Sequence, residues 1–382
     1  MNSNLREFEH IVSEMASEFR DIAFEIEESP EKINKYLNLQ GVDVLSRLMI
    51  PEEFNNHPIV VNSRFKIYGS NVLERVIALE KFAYGDVGVL LASPGPSLSG
   101  QVIMDMGDPE QQNFYYNTLI SEKTWTFFAL SEPSKGSDAS EIKSKITEKY
   151  GNKLLNGEKK FIGNGSRATI GVVFVKSSDG PLGITGLLID PSRKGFESTT
   201  LDTLGVKGAG LSKLTFNNYK VDSSDILGRH LRPTKRGLWG AIQTFNRMRP
   251  GVAALGLGVA QATMDYILSN KRNFSSDQTK SIERYNDKIL SVRNLIHSAA
   301  YQVEHNPTIG YLGSIAKIKA IKLVEEITEY AMYLFGQYAM IEHPYLNKWF
   351  RDARALEFME GTTNIQKLNV FQNYWNGKIT HV

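Results

Sequence analysis

The chain changes character twice along its 382 residues, and few architectures accommodate that order. Residues 1 to about 125 carry helical spacing. Leu5, Ile11, Met15, Phe19 and Ile22 recur among acidic residues, and Val72, Val76, Leu79 and Phe82 do the same. Pro94-Gly95-Pro96 separates helices, and Gly107-Asp108-Pro109-Glu110 reads as a turn feeding a helix start. From about 126 to 231 the pattern becomes strand-like. Thr169–Val175 is rich in β-branched residues, Gly183–Ile189 is a second apolar run, and Asn217-Asn218 reads as a hairpin turn between Leu214–Phe216 and Tyr219–Val221. These short strands do not alternate with long helices, which argues against a parallel nucleotide-binding sheet. Helical spacing returns from about 232, in Pro250–Arg272, Ser281–His305, a face running from Ile318 to Leu334, and Phe358–Trp375 broken by Gly361. The expected class is α+β in three parts: an N-terminal helical domain (1–125), a central antiparallel β domain (126–231) and a C-terminal four-helix bundle (232–382).

Composition removes several function classes. Lys plus Arg number 44 against 42 Asp plus Glu, so a net charge of +2 gives no electrostatic reason to expect nucleic acid. The absence of cysteine excludes disulfides, thiolate metal sites and cysteine nucleophiles. The histidines at 10, 57, 230, 297, 305, 343 and 381 show no metal-ligand spacing, so no metal is expected. There is no nucleophile elbow, dinucleotide fingerprint or phosphate loop. Met1–Phe8 is polar without an apolar run behind it, which reads as no secretory signal and a cytoplasmic protein. Pro250–Leu268 is apolar but interrupted by Gln261 and Asp265, and reads as a buried helix rather than a membrane span.

Three segments carry possible chemistry. Glu360-Gly361-Thr362-Thr363 follows the mostly apolar stretch Ala355–Met359, and a carboxylate held against apolar surface becomes a usable base near neutral pH. Leu130-Ser-Glu-Pro-Ser-Lys-Gly-Ser-Asp138 offers small residues and hydroxyls whose backbone N–H groups suit a phosphate or a flavin edge. Asn156-Gly157 reads as a hairpin turn before Phe161-Ile162-Gly163, where an aromatic ring beside a bare backbone can receive a flat cofactor. Each segment alone also fits a plainer role: a helix end with a solvated glutamate, a polar turn with Asp138 as a helix cap, and a β-hairpin.

In their order, however, these segments resemble the acyl-CoA dehydrogenase family from about residue 5 to 376. The resemblance rests on GDPEQQNFYYNTLISE (107–122), FALSEPSKGSDAS, LNGEKKFIGNGSRA, LGVKGAGLSKLTFNNYKVDSSDILG, FNRMRPGVAALGLGVAQ and HPYLNKWFRDARALEFMEGTTNIQK. It implies helical, β and four-helix-bundle domains, with FAD between the last two and part of its site supplied by a neighbouring subunit of a homodimer or homotetramer. It makes Glu360 the base that takes the proton α to a thioester carbonyl. The thioester oxygen would be held by that residue's backbone N–H and by the flavin. Leu130 and Ser131 would meet the flavin's pyrimidine edge. Gly136 and Ser137 would lie by the pyrophosphate or the pantetheine arm, and Phe161, Ile162 and Gly163 by the ring. Lys271, Phe274, Gly336, Thr362 and Asn364 would meet the rest of FAD, with Arg249, Gly361 and Ser137 by the substrate. Some relatives carry the base on the first bundle helix, at the position of Met248, which cannot accept a proton.

Four departures stand out. Gly163 occupies a place where relatives bond flavin N5 through a Thr or Ser hydroxyl. Lys271 stands for an arginine fork, or Arg272 supplies it displaced; Ser275 stands for a glycine, and Gln337-Tyr338 for an Asn-Gly-like pair. The expected function is FAD-dependent oxidation of a small acyl thioester, on coenzyme A or on an acyl or peptidyl carrier protein. An electron-transfer flavoprotein or oxygen would take the electrons. Phe127, Phe128, Met248, Phe358 and Met359 are expected to narrow the pocket. Oxidation of hydroxyacyl- or aminoacyl-carrier proteins, a flavin oxidase or monooxygenase acting on an amine or nitro compound, and a non-catalytic scaffold are the alternatives.

Overall fold

The computed structural model describes residues 2–134, 136, 141–180 and 182–379. Six helices come first: α1 (Ser3–Ser17), α2 (Phe19–Glu28), α3 (Gln40–Arg47), α4 (Val72–Ala92), α5 (Ser97–Met106) and α6 (Pro109–Ser121), with a small hairpin of β1 (Ile59–Asn62) and β2 (Phe65–Ile67). The punctuation read from sequence holds. α4 ends before Pro94-Gly95-Pro96, and Asp108 caps α6 through a reciprocal box with Gln111, Pro109 following at the first helical position.

A seven-stranded sheet follows: β3 (Thr126–Ala129), β4 (Lys145–Lys149), β5 (Asn152–Ile162), β6 (Ile170–Lys176), β7 (Ile184–Ile189), β8 (Phe196–Thr200) and β9 (Ser212–Val221). The sheet is mostly antiparallel, as expected, with two parallel pairings the sequence did not mark. β5 pairs antiparallel with β4 and β9, β8 with β9 and β7 with β6, but β3 runs parallel to β6 and β4 joins β6 in parallel at one end. β6 is the run of β-branched residues seen in the sequence, buried on both faces, which is what a strand with parallel pairing requires.

Two expected turns also prove to be strand interior. Asn156-Gly157 lies within β5 and Asn217-Asn218 within β9, where bulges bend the ladder. Gly157 has φ +147°, and an added Cβ would sit 2.5 Å from the Cα of Ser144, so the glycine serves close approach of two strands. The turn between β4 and β5 is at Tyr150-Gly151, both in the left-handed region.

The chain closes with α7 (Gly237–Asn270), α8 (Ser276–His305), α9 (Tyr311–Phe335), the short α10 (Ala339–Glu342), α11 (Pro344–Leu356) and α12 (Thr363–Trp375). The last helix begins at Thr363, not Phe358, and Phe358–Thr362 is a turn. α7 is long and apolar enough to cross a membrane, but its apolar window is 78% buried in the protein. Its glycines explain why. A Cβ on Gly258 would lie 2.3 Å from the Glu80 carbonyl, so α4 crosses α7 almost backbone to backbone.

A buried ion network holds the parts in register. Lys348 of α11 bridges Asp86 and Asp352 at 2.7 Å each. Asp86 breaks α4 with extended backbone and accepts the N–H of Val89, while Asp352 accepts the N–H of Val206 in the loop before β9. One ammonium therefore ties α4, α11 and the sheet's loops together, and α11 leads directly into the turn that carries Glu360. Such a pair is costly to break from one side, because it leaves buried charge uncompensated.

Candidate active site

The turn 357–363 is built to present one carboxylate. Glu360 sits at φ +50° and Gly361 at φ +94°, two consecutive left-handed residues. A non-glycine residue in that region stores about 1 kcal/mol or more of backbone strain, and it persists only where surrounding contacts over-determine it. Those contacts come from α9 and α12. Lys317 is 1% exposed, and its ammonium donates to the carbonyls of Glu357 (3.1 Å), Met359 (2.5 Å) and Gly361. Gln366 of α12 donates to the carbonyls of Glu360 (3.0 Å) and Gly361 (3.1 Å) and accepts from Ser314 (2.8 Å). Glu357 fixes the far side of the turn, accepting the N–H (2.7 Å) and hydroxyl (2.6 Å) of Thr363.

One oxygen of the carboxyl group is left unused. Oε2 of Glu360 is buried and has no hydrogen-bond partner among the described residues. Burial pushes its pKa up to about 7, against the pull of Arg249, Lys317 and Arg75. A carboxylate poised near neutrality has the properties a general base needs. Burial also draws the Lys317 ammonium down to about 8.

Arg249 of α7 is 7% exposed; it donates to Asn246 (2.7 Å) and lies over the ring of Phe245, which in turn meets Phe128 of β3 at 5.5 Å. Phe245 thereby links Arg249 to the end of β3. Leu130 and Ser131, half-buried, follow β3 directly, and the Ser131 carbonyl accepts the N–H of Lys160. Beneath them runs a buried pair: Lys159 bonds the Leu130 carbonyl (3.0 Å) and Glu132 (2.9 Å), and Glu132 accepts the N–H groups of Lys143 and Ser144. Phe161 is 58% exposed at φ +62°, with Ile162 buried and Gly163 open beside it. Thr362 stands at the N-cap position of α12 without a side-chain capping bond, Asn364 is exposed in its first turn, and Gly136 is exposed. Ser137 and Asp138 lie outside the described residues.

Lys271, Phe274 and Gly336 gather elsewhere. Gly313 of α9 approaches Arg249 and Pro250, whereas Tyr266 meets Phe335 at the far end, so α7 and α9 run parallel. Roughly 28 Å of α9 separates Lys317 from Gly336. One chain does not bring these three residues to Glu360. The expected narrowing residues divide as well. Phe127 is buried against Phe196 in the sheet and Phe358 is largely exposed; Met248 and Met359 pack into the main core, and Phe128 packs on Phe174 and Phe245 in a second cluster. A separate cleft of about 640 Å³ between α1, α4, α7 and α8 is lined by charges that pair with one another, Lys81 with Glu9 and Arg293 with Glu80.

Lys317, Gln366, Arg75 and the Lys159–Glu132 pair were not marked by sequence. No motif signals them, because each acts on backbone carbonyls or partners brought close only by the fold.

Comparison with known proteins agrees with this geometry. Residues 127–219 match the family model of the acyl-CoA dehydrogenase middle domain, and residues 235–374 that of the acyl-CoA dehydrogenase C-terminal domain. The chain is 31% identical over 304 residues to a 3-(aryl)acrylate reductase of Clostridium sporogenes, covering 76% of this chain and 79% of that protein. It is 30% identical over 313 residues to the short-chain-specific acyl-CoA dehydrogenase of Megasphaera elsdenii, covering 78% and 80%. The fold matches that of a glutaryl-coenzyme A dehydrogenase in its glutaryl-CoA complex with a TM-score of 0.86 at 22% identity, over 98% of this chain and 96% of the other. An exposed aromatic beside an open glycine, at the edge of a loop anchored by buried ions, fits a flat ring, and the orphaned carboxyl of Glu360 fits a base. The chain belongs to the acyl-CoA dehydrogenase family of FAD-dependent oxidoreductases acting on acyl thioesters.

Proposed function

We propose that the protein oxidises a small acyl-CoA at its α,β bond, with Glu360 as the base. The buried, unpartnered Oε2 of Glu360 on its pinned turn carries this reading. Glu360 takes the α proton, the β carbon loses hydride, and a carbon–carbon double bond forms between them. When bound, FAD supplies the two-electron acceptor for that hydride. Arg249 and Lys317 pull the carboxyl towards its ionised form, against burial, so that it can act near neutral pH. Leu130, Ser131, Phe161, Ile162 and Gly163 would hold the flavin ring, with Gly136, Ser137, Thr362 and Asn364 towards the phosphates and substrate.

Lys271, Phe274 and Gly336 would serve the FAD of a second copy, so the working form is a homo-oligomer. An apolar groove between α9 and α12, formed by Ile315, Ile318, Val370 and Phe371 beside the 77% exposed Trp375, is of the kind that oligomers cover. The electron partner is proposed to be an electron-transfer flavoprotein, and the setting cytoplasmic. A carrier-protein thioester is the second donor to test.

Anaerobic mixing of the FAD-loaded protein with short acyl-CoAs and carrier-linked counterparts should bleach the flavin with the CoA series. Bleaching by carrier-linked donors alone would move the substrate to carrier proteins, and no bleaching by any thioester would overturn the reading. Gly163→Ser tests the ring site. A Cβ there meets only the Ala209 carbonyl, at 3.7 Å, so stability should stay within about 0.5 kcal/mol by thermal melting. The added hydroxyl should shift the visible spectrum of the bound flavin.

A further inference from the structure

The loop between the sheet and α7 carries charge that its own stretch of chain does not balance. Arg229, Arg232, Lys235 and Arg236 fall within eight residues, and no acidic residue occurs between Asp225 and Asp265. Arg229 pairs with Asp108. Arg232, Lys235 and Arg236 are exposed and make no ion pair with a described residue. The loop is nonetheless held in place. Gly228 donates to the Met106 carbonyl (2.8 Å), and Leu231 packs in the second core cluster with Leu238 and Phe245. Gly237, at φ +59°, lies so close to the Ile184 carbonyl that an added Cβ would sit 2.0 Å from it. The three free cations therefore stand on a fixed scaffold.

A stripe of α7 leads inward from that loop. Trp239 and Ile242 are 50% and 42% exposed, and helical spacing sets them on one face with Phe245 and Arg249. At the inner end Gly313 of α9 faces Arg249, and its neighbour Ser314 bonds Gln366, which holds the Glu360 carbonyl. From Trp239 to Arg249 the helix rises about 15 Å, on the order of five residues of extended chain, which is the reach of a pantetheine arm. The outer end of the stripe is thus where the carrier of a thioester comes to rest, and its make-up selects a protein. A site for the phosphates of a small molecule gathers partly buried donors on one point, whereas these cations are exposed and strung along the loop. Arg and Trp around an apolar centre are enriched in protein interfaces, and unbalanced surface charge steers a partner of opposite sign. We propose that loop 229–236, with Trp239 and Ile242, docks an acidic carrier protein whose pantetheine arm reaches along α7 to the Glu360 turn. This rests on the thioester reading above and gives the second donor named there its docking face.

The test offers the FAD-loaded protein one acyl group, butyryl, on coenzyme A and on an acidic bacterial acyl carrier protein, and follows flavin bleaching and steady-state kinetics. Wild type should oxidise the carrier-linked donor with a KM that rises as salt is added. A variant combining Arg232→Gln, Lys235→Gln and Arg236→Gln should raise that KM by about tenfold or more with kcat unchanged. Its kinetics on butyryl-CoA should match wild type, and Trp239→Ala should behave in the same way. All four side chains are exposed, so the fold tolerates their loss. Equal losses on both donors would place the phosphates of coenzyme A on the loop and overturn the docking proposal. So would a triple variant that sediments differently, which makes the face a subunit contact. Pelleting of wild type with phosphatidylglycerol vesicles, lost in the triple variant, would make it a lipid surface and overturn the proposal as well. A wild type that oxidises butyryl-CoA but not the carrier-linked donor sinks the proposal and leaves the thioester reading standing. Failure of both donors to bleach the flavin would instead remove that reading.

Discussion

Glu360→Gln is expected to lower kcat by about 10³-fold while the protein still binds FAD and thioester, because a positioned base contributes about 10²- to 10⁴-fold and the amide cannot accept the proton. The wild-type pH profile should identify the same group. With a carboxyl pKa near 7, set first by burial and moderated by Arg249, Lys317 and Arg75, activity should rise with pH through neutrality and level off above it. The residual activity of Glu360→Gln should lose that limb. Stability should move the other way. The carboxyl pKa is about 7 folded against 4.5 as the ordinary value, so the unfolded chain gives up its proton first. Stability therefore falls as pH rises from about 4.5 to 7, by at most about 3 kcal/mol and less with residual solvent contact. Glu360→Gln removes that penalty and should raise Tm at pH 8 but not at pH 4.5. A variant that kept wild-type turnover would place the base elsewhere, and an unchanged Tm at both pH values would mean that Glu360 is solvated.

Most of the architecture is legible because it follows from periodicity. Apolar residues every three or four positions place α4, α8 and α9, and the β-branched run at Thr169–Val175 becomes β6. Asp108 with Pro109 and Gln111 declares its helix start locally. What fails is strand pairing. Asn156-Gly157 and Asn217-Asn218 have turn chemistry, but long-range pairing with neighbouring strands overrides it, and the residues become bulges. The parallel pairing of β3 with β6 leaves no local trace either, since it joins segments more than forty residues apart. Within the site, the candidate base is readable from Glu360-Gly361 and its resemblance. Its environment is not. Lys317 looks like one more charged residue on an amphipathic helix, and Arg75 like a surface arginine among the charged residues of α4. Both are buried only because α4, α7, α9 and the 357–363 turn converge.

Lys317→Met tests whether that convergence sets the chemistry. The substitution keeps an unbranched apolar stem of similar size but withdraws three donors from the carbonyls of Glu357, Met359 and Gly361. Buried carbonyls without partners cost about 1 kcal/mol or more each, so a loss near 3 kcal/mol is expected in thermal or denaturant unfolding. The strained φ of Glu360 would then lack its main restraint, and kcat should fall by about 100-fold, since an ångström of misplacement at a reacting group has that effect. The charge acts separately from the bonds. Without the ammonium, only Arg249 and Arg75 oppose the burial of Glu360, so its pKa should rise and the rising limb of the pH profile move to higher pH. Lys317→Gln separates the two effects, because the amide can still bond a carbonyl but carries no charge. It should recover part of kcat while keeping the displaced limb. A limb that stays in place in both variants would show that Lys317 holds the turn without tuning the base. Recovery of the limb together with kcat in Lys317→Gln would show that the turn's geometry alone governs the carboxyl.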